Sequence, residues 1–200
     1  MMEELIAFIE AHEPGFSARI SGVGAETLAA LEARCGRRLP ESYRSFLVRM
    51  GEDCGPFNVY PGFSYRASEL LKFYPEASEL GYDPRAFHKI AINLATDLDD
   101  PPDFFLDLRR ATQDDAPIVG FWDSSGLPEG AHPDAVVPSE TGYWFYDNIR
   151  LSAMRQYELE PREHKARLAV ASALRDDGEL EPDQEAWWRD VNGLIDRWQW

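Results

Sequence analysis

Basic residues are scarce in this chain, cysteines nearly absent, and long apolar runs missing altogether. Lysine and arginine together number 20 against 36 acids, a formal net charge of −16. A general nucleic-acid binder needs a basic footprint to displace counterions from phosphates, so this balance excludes one. It equally excludes adhesion to an anionic membrane surface. No window approaches the roughly 18 consecutive apolar residues of a spanning helix. Met1-Met2-Glu3-Glu4 is acidic and lacks the basic start of a secretory signal. The two cysteines, Cys35 and Cys54, cannot frame a disulfide-rich secreted domain. Each is expected to be a small buried apolar residue. These absences together predict a cytoplasmic protein.

Chemical signatures are missing too. Gly22-Val23-Gly24 lacks the third glycine and the preceding strand of a phosphate loop. Gly120-Phe121-Trp122-Asp123-Ser124-Ser125-Gly126 sets serine beside glycine but is not a nucleophile elbow. Gly130-Ala131-His132-Pro133-Asp134 reads as a turn rather than part of a serine triad. His12, His88 and His164 are scattered, without metal-ligand spacing, and read as structural or surface residues. No repeat or low-complexity tract occurs. The expectation is a non-enzymatic protein with no cofactor and no metal.

What is present suffices for a folded domain. The 200 residues are 44% hydrophobic and 12% aromatic. A chain of this length buries roughly 70% of its unfolded surface. The charge is unevenly spread. Residues 1–96 carry 13 acids and 10 bases, residues 97–147 carry 12 and two, and residues 148–200 carry 11 and eight. The middle segment therefore holds −10 of the −16, with Arg109 and Arg110 as its only bases.

Apolar spacing predicts a first helix near residues 3–12 from Leu5, Ile6, Phe8 and Ile9, stopped before Pro14. Leu28, Leu31 and Cys35 predict a second, with Gly36 as a left-handed C-cap. Tyr43, Phe46, Leu47 and Met50 mark a third, opened behind Pro40 and ended by Gly51. The short link between the second and third favours a packed helical pair.

The period then changes. Phe57–Tyr60 reads as a strand, and Ser68–Tyr74 as a helix stopped by Pro75. His88–Leu94 alternates as one strand, with Ile90, Ile92 and Leu94 on one face. Phe104–Leu108 and Pro117–Trp122 read as strands, Val136-Val137 as a short one, and Tyr143–Tyr146 as a last aromatic one. Linkers rich in Asp, Pro and Gly, with no strand–helix alternation, point to an antiparallel sheet. Helical period returns in Pro161–Leu174 and again after Pro182. There Trp187, Trp188, Val191, Leu194, Ile195 and Trp198 form a broad apolar stripe. The stripe is expected to pack on the same domain, with a homodimer face as the alternative. The expected organisation is α+β, with N-terminal helices packed on an antiparallel sheet. A domain over residues 1–150 carries a C-terminal helical extension over 151–200.

The run Leu31-Glu32-Ala33-Arg34-Cys35-Gly36-Arg37-Arg38-Leu39-Pro40-Glu41-Ser42-Tyr43-Arg44-Ser45-Phe46-Leu47 resembles the opening signature of the SUKH superfamily. Gly51 fits the glycine that follows that signature. Ile90-Ala91-Ile92-Asn93, Asp97 and Phe104-Phe105-Leu106-Asp107-Leu108 are similar to the family's two-strand core, and Ile118 to Asp123 to its next strand. The resemblance covers residues 25–125. It implies helices packed on an antiparallel sheet and a non-enzymatic role. Bacterial members are largely immunity proteins that neutralise toxins, often nucleases or deaminases. A eukaryotic branch regulates cell-wall assembly through protein contacts. The expected function is therefore an immunity-type protein that binds a cognate toxin domain through an acidic surface. A regulatory interaction scaffold unrelated to toxins is the alternative.

The candidate contact surface for a basic protein partner consists of Asp97, Asp99, Asp100, Asp103 and Asp107, with Asp114, Asp115 and Asp123 further along. Tyr143 and Trp144 add aromatic anchors. Such a surface speeds association with a cationic partner roughly 10–1,000-fold. Other readings stay open: a solvated hairpin loop, or a calcium loop. Counted from Asp97, however, the position where calcium loops need glycine holds Pro102. Asp107 has a second reading as a turn cap. One face of Tyr143–Tyr146 is expected to enter the core. The other is either covered by the C-terminal helices or a binding patch.

Overall fold

The structure is a computed structural model describing residues 1–59, 63–77, 83–93, 103–121 and 139–162. The fold is α+β, with helices at the N-terminus, an antiparallel sheet and a C-terminal helix. The chain divides into two compact units, Met1–Ala153 and Met154–Trp200.

Three helices open the first unit: α1 (Met2–His12), α2 (Ala25–Cys35) and α3 (Glu41–Met50). The spacing that predicts them is the spacing they bury. Leu5, Ile6 and Ile9 of α1 are buried, as are Leu28, Leu31 and Cys35 of α2 and Tyr43, Phe46, Leu47 and Met50 of α3. Gly36 takes φ +63° and ends α2 in a left-handed cap. Its N–H donates to Ala33 O and that of Arg37 to Glu32 O, the two bonds of a Schellman motif. Glu32 locks the short link to α3. Its carboxylate accepts the Arg44 guanidinium and, at 3.0 Å, the Leu39 N–H.

Two strands, β1 (Phe63–Ser64) and β3 (Ile92–Asn93), pair antiparallel as a small sheet. The main sheet has the order β2 (Phe87–Lys89), β4 (Asp103–Asp107), β5 (Pro117–Phe121), β6 (Ser139–Trp144), all antiparallel. Helix α4 (Ala67–Ala77) follows β1, and α5 (Phe145–Met154) follows β6 directly. The core sits between α3 and this sheet. The Tyr43 ring meets His88 of β2 at 5.1 Å and Phe145 of α5 at 5.0 Å, both edge-on. Phe46 meets Phe145 at 5.5 Å. Edge-to-face pairs of this kind each add about 0.5–1.5 kcal/mol beyond their burial.

Four of the expected elements differ in the structure. Phe57 to Val59 is not a strand: Phe57 and Val59 are buried in irregular backbone, and β1 begins at Phe63. Helix α4 runs through Pro75 to Ala77, two residues past the proline expected to stop it, so Pro75 falls in its last turn. The single strand expected over His88–Leu94 is two strands in two different sheets, broken at Ile90 and Ala91, both buried. The aromatic strand begins at Ser139 and ends at Trp144, so Phe145 and Tyr146 open a helix instead. In the second unit, residues 155–159 form a π-helical stretch and residues 160–162 continue in helix. The helices expected in Pro161–Leu174 and after Pro182, and the strand at Val136-Val137, lie beyond the described residues.

Candidate functional site

The turn between β4 and β5 organises the candidate surface. It caps α3 from outside the helix: Glu41 N–H donates to Gln113 O at 2.9 Å and Ser42 N–H to Asp114 O at 2.8 Å. These are orphan donors of a helix start, and Pro40 offers no capping side chain. Thr112 and Asp115 close the turn, with Thr112 N–H donating to Asp115 O and Asp115 N–H to the Thr112 hydroxyl. The Asp115 carboxylate then ties three elements together. It accepts the Ser42 hydroxyl at 2.5 Å, the Ala116 N–H at 2.9 Å and the Tyr146 N–H at 3.2 Å. Burial raises its pKa from the ordinary aspartate value. Those hydrogen bonds pull it back down, and the nearby Asp147 charge adds to the rise.

Beside this knot lies an exposed aromatic pair. Tyr143 and Trp144 keep 44% and 36% of their surface exposed, while the next residue, Phe145, is buried. Trp144 pairs with Pro117 on β5, and Phe145 N–H donates to Ala116 O at 2.9 Å, so the pair stands at the end of β6 beside the start of β5. Strand β6 is one edge of the main sheet among the described residues. Asp147 is exposed nearby. Glu4 approaches from α1, close enough that its charge, after burial, raises the Tyr146 pKa; the Tyr146 hydroxyl donates to Met1 O at 2.9 Å.

The sequence-predicted contact residues therefore separate. Asp114, Tyr143 and Trp144 are all exposed, Asp114 in the β4–β5 turn and the two aromatics at the end of β6. Asp115 is half-buried and committed to the knot. Asp107 departs from the expectation of a surface carboxylate. Its side chain is 0% exposed and takes both Nε and Nη2 of Arg109, at 3.0 and 3.1 Å. It also accepts the Arg109 N–H at 3.1 Å, which fits its reading as a turn cap. Asp103 opens β4. Asp97, Asp99, Asp100 and Asp123 lie outside the described residues, and with them the calcium-loop reading; so do the turn at Gly130–Asp134 and His164. The candidate contact residues do not include Asp147 or Glu4: Asp147 lies in the first turn of α5, and Glu4 comes near Tyr146 from α1.

Two further features carry polar chemistry. Cys35 Sγ lies 3.2 Å from His88 Nδ1, both side chains buried beneath Tyr43. Burial lowers the His88 pKa to about 3, so the ring is neutral. Cys54 is half-buried rather than fully buried, and its thiol donates to Met50 O at 3.3 Å. Burial, reinforced by the Asp53 charge, pushes that thiol up to about 12. Cys54 lines a concavity of about 460 Å³ between the end of α3, β1 and the start of α4, with Phe57, Phe63, Glu52 and Glu69. Serine hydroxyls hold both carboxylates: Ser68 donates to Glu52 at 2.6 Å, and Ser64 donates to Glu69. Residue spacing holds no hint of this hollow, because its walls come from segments whose local pattern suggests strand and turn. Among the described residues, no group of three or more His, Cys, Asp or Glu side chains is arranged to hold a metal ion, and no helix is long and apolar enough to cross a membrane.

No family model matches this chain, and no curated protein or solved structure matches it either.

Proposed function

We propose that this chain is an immunity-type protein that binds and neutralises a basic toxin domain, acting by contact rather than catalysis. The observation that carries the reading is the exposed Tyr143–Trp144 pair on a strand that is an edge of the main sheet among the described residues, with Asp114 of the β4–β5 turn and Asp147 of α5 also exposed. Aromatic anchors supply contact area at low entropic cost, and flanking carboxylates steer a cationic partner. The likeness of Leu31–Leu47 and Phe104–Leu108 to SUKH sequences supports the same reading. So does the concentration of negative charge between residues 97 and 147. The knot at Asp115 gives the surface a rigid base, which limits the ordering cost of association.

The test is a binding measurement between the full chain and the toxin domain encoded beside its gene. Binding that weakens about 30-fold or more in Trp144→Ala is the expected result, the size of an interface hot spot. No binding to any neighbouring toxin domain overturns the proposal. Binding to an unrelated regulatory protein through the same residues would favour the scaffold reading instead.

A further inference from the structure

Among the described residues, six arginines gather at one end of the main sheet. Arg34 stands in the last turn of α2, Arg37 and Arg38 follow it, Arg85 precedes β2, and Arg109 and Arg110 follow β4. All six are exposed. Contacts between the elements gather them. Arg37 Nη1 donates to Leu108 O at 2.7 Å, and Leu108 N–H donates to Ala86 O at 2.8 Å. The Arg85 side chain lies over Gly36, its Nε 3.6 Å from where a Cβ would stand. The Arg109 guanidinium sits 4.3 Å from the centre of the Phe87 ring.

Carboxylates answer only part of this charge. Arg38 pairs with Glu41 at 3.0 Å, and Arg109 with the buried Asp107. The neighbouring Asp83 accepts the backbone N–H of Arg85 rather than its guanidinium. Arg34, Arg37 and Arg85 have no carboxylate within ion-pair distance among the described residues. With 36 acids against 20 bases, arginines that meet no carboxylate among the described residues run against the composition. One of these side chains is also partly fixed, Arg37 on the Leu108 carbonyl, and Arg85 lies close by over Gly36. A guanidinium held this way presents its fork to an oxyanion with less entropy left to lose.

We propose that this arginine cluster is a docking surface for an acidic polypeptide segment. A nucleic acid strand keeps adding negative charge beyond the cluster and meets the repulsion of a chain at −16. A short run of Asp or Glu ends where the cluster ends and takes the bidentate geometry that guanidinium offers. The surface lies toward the β2 edge, opposite the β6 edge of Tyr143 and Trp144, and stands independently of the toxin-binding reading.

The test is fluorescence anisotropy of the full chain with a labelled oligoglutamate peptide, beside an oligothymidylate of matching charge. The expected result is salt-sensitive binding of oligoglutamate that weakens about fivefold in Arg85→Gln and again in Arg37→Gln. Arg19→Gln, outside the cluster, leaves it unchanged. Arg37→Gln also forfeits the bond to Leu108 O, so Arg85→Gln alone decides the outcome if that variant unfolds. Three results overturn the proposal: no oligoglutamate binding, binding indifferent to the cluster variants, or oligothymidylate binding at least as tightly.

Discussion

The Ser42 hydroxyl donates to the Asp115 carboxylate at 2.5 Å, joining the first turn of α3 to the β4–β5 turn. The same carboxylate accepts the Tyr146 N–H and so fixes where α5 begins. Two helix starts thus depend on one side chain that neither helix contains. This is the frame on which Trp144, two residues before Tyr146, is displayed.

Ser42→Ala is expected to cost about 1 kcal/mol, the net worth of one hydrogen bond. Asp115→Leu removes the acceptor from Ser42, Ala116 and Tyr146 together and is expected to cost about 2–4 kcal/mol. Urea unfolding of the three proteins checks the order. An Asp115→Leu variant as stable as the parent contradicts the knot.

Protonation gives an independent check on Asp115. Its folded pKa is raised, chiefly by burial, so this stabilising contribution is full below the unfolded value and is lost as pH rises through the folded one. Asp115→Asn cannot ionise. The stability of the parent relative to Asp115→Asn is therefore expected to fall as pH rises through the acid range. Chemical denaturation across that range reads it, and a parallel pair of curves contradicts it.

His88 runs the other way. Burial holds its folded pKa near 3, against the ordinary imidazole value of 6.5. The unfolded chain binds the proton first, so stability is full above 6.5 and declines as pH falls toward about 3. A single such group contributes a slope of at most about 1.4 kcal/mol per pH unit. His88→Gln is expected to flatten the pH dependence of unfolding between those limits, whatever it does to absolute stability.

Both thiols are expected to be slow toward thiol reagents in the native protein. Cys35 is buried, and the raised pKa of Cys54 leaves almost no thiolate at neutral pH. A disulfide-exchange reagent is expected to titrate two thiols rapidly only after unfolding in urea. Rapid modification of Cys54 in the native state contradicts this reading of the two thiols.

The helical third was legible because its period carries its burial. Tyr43, Phe46, Leu47 and Met50 are spaced for one face and occupy it, and Gly36 caps α2 as its position after the last apolar residue implies. The sheet was legible in class and less so in detail. His88 and Lys89 are both buried, so alternation along His88–Leu94 could not reveal a break at Ile90 and Ala91. The start of α5 at Phe145 rests on Ala116 O and the Asp115 carboxylate, acceptors some 30 residues earlier that no local pattern encodes. The acidic surface was legible as a count but not as a surface. Of its aspartates, Asp107 is drawn inside by Arg109 and Asp115 by Ser42, while Glu4 arrives from the far end of the sequence.

The most direct test of the proposed toxin binding is the association rate, at low and high salt, between this chain and any basic toxin domain encoded beside its gene. The comparison is with the Asp114→Asn, Asp147→Asn double variant, which lies outside the buried knot. Steering predicts a fast rate that falls steeply with salt in the parent, and a slower, flatter dependence in the double variant. An unchanged rate at low salt contradicts the assignment of this surface.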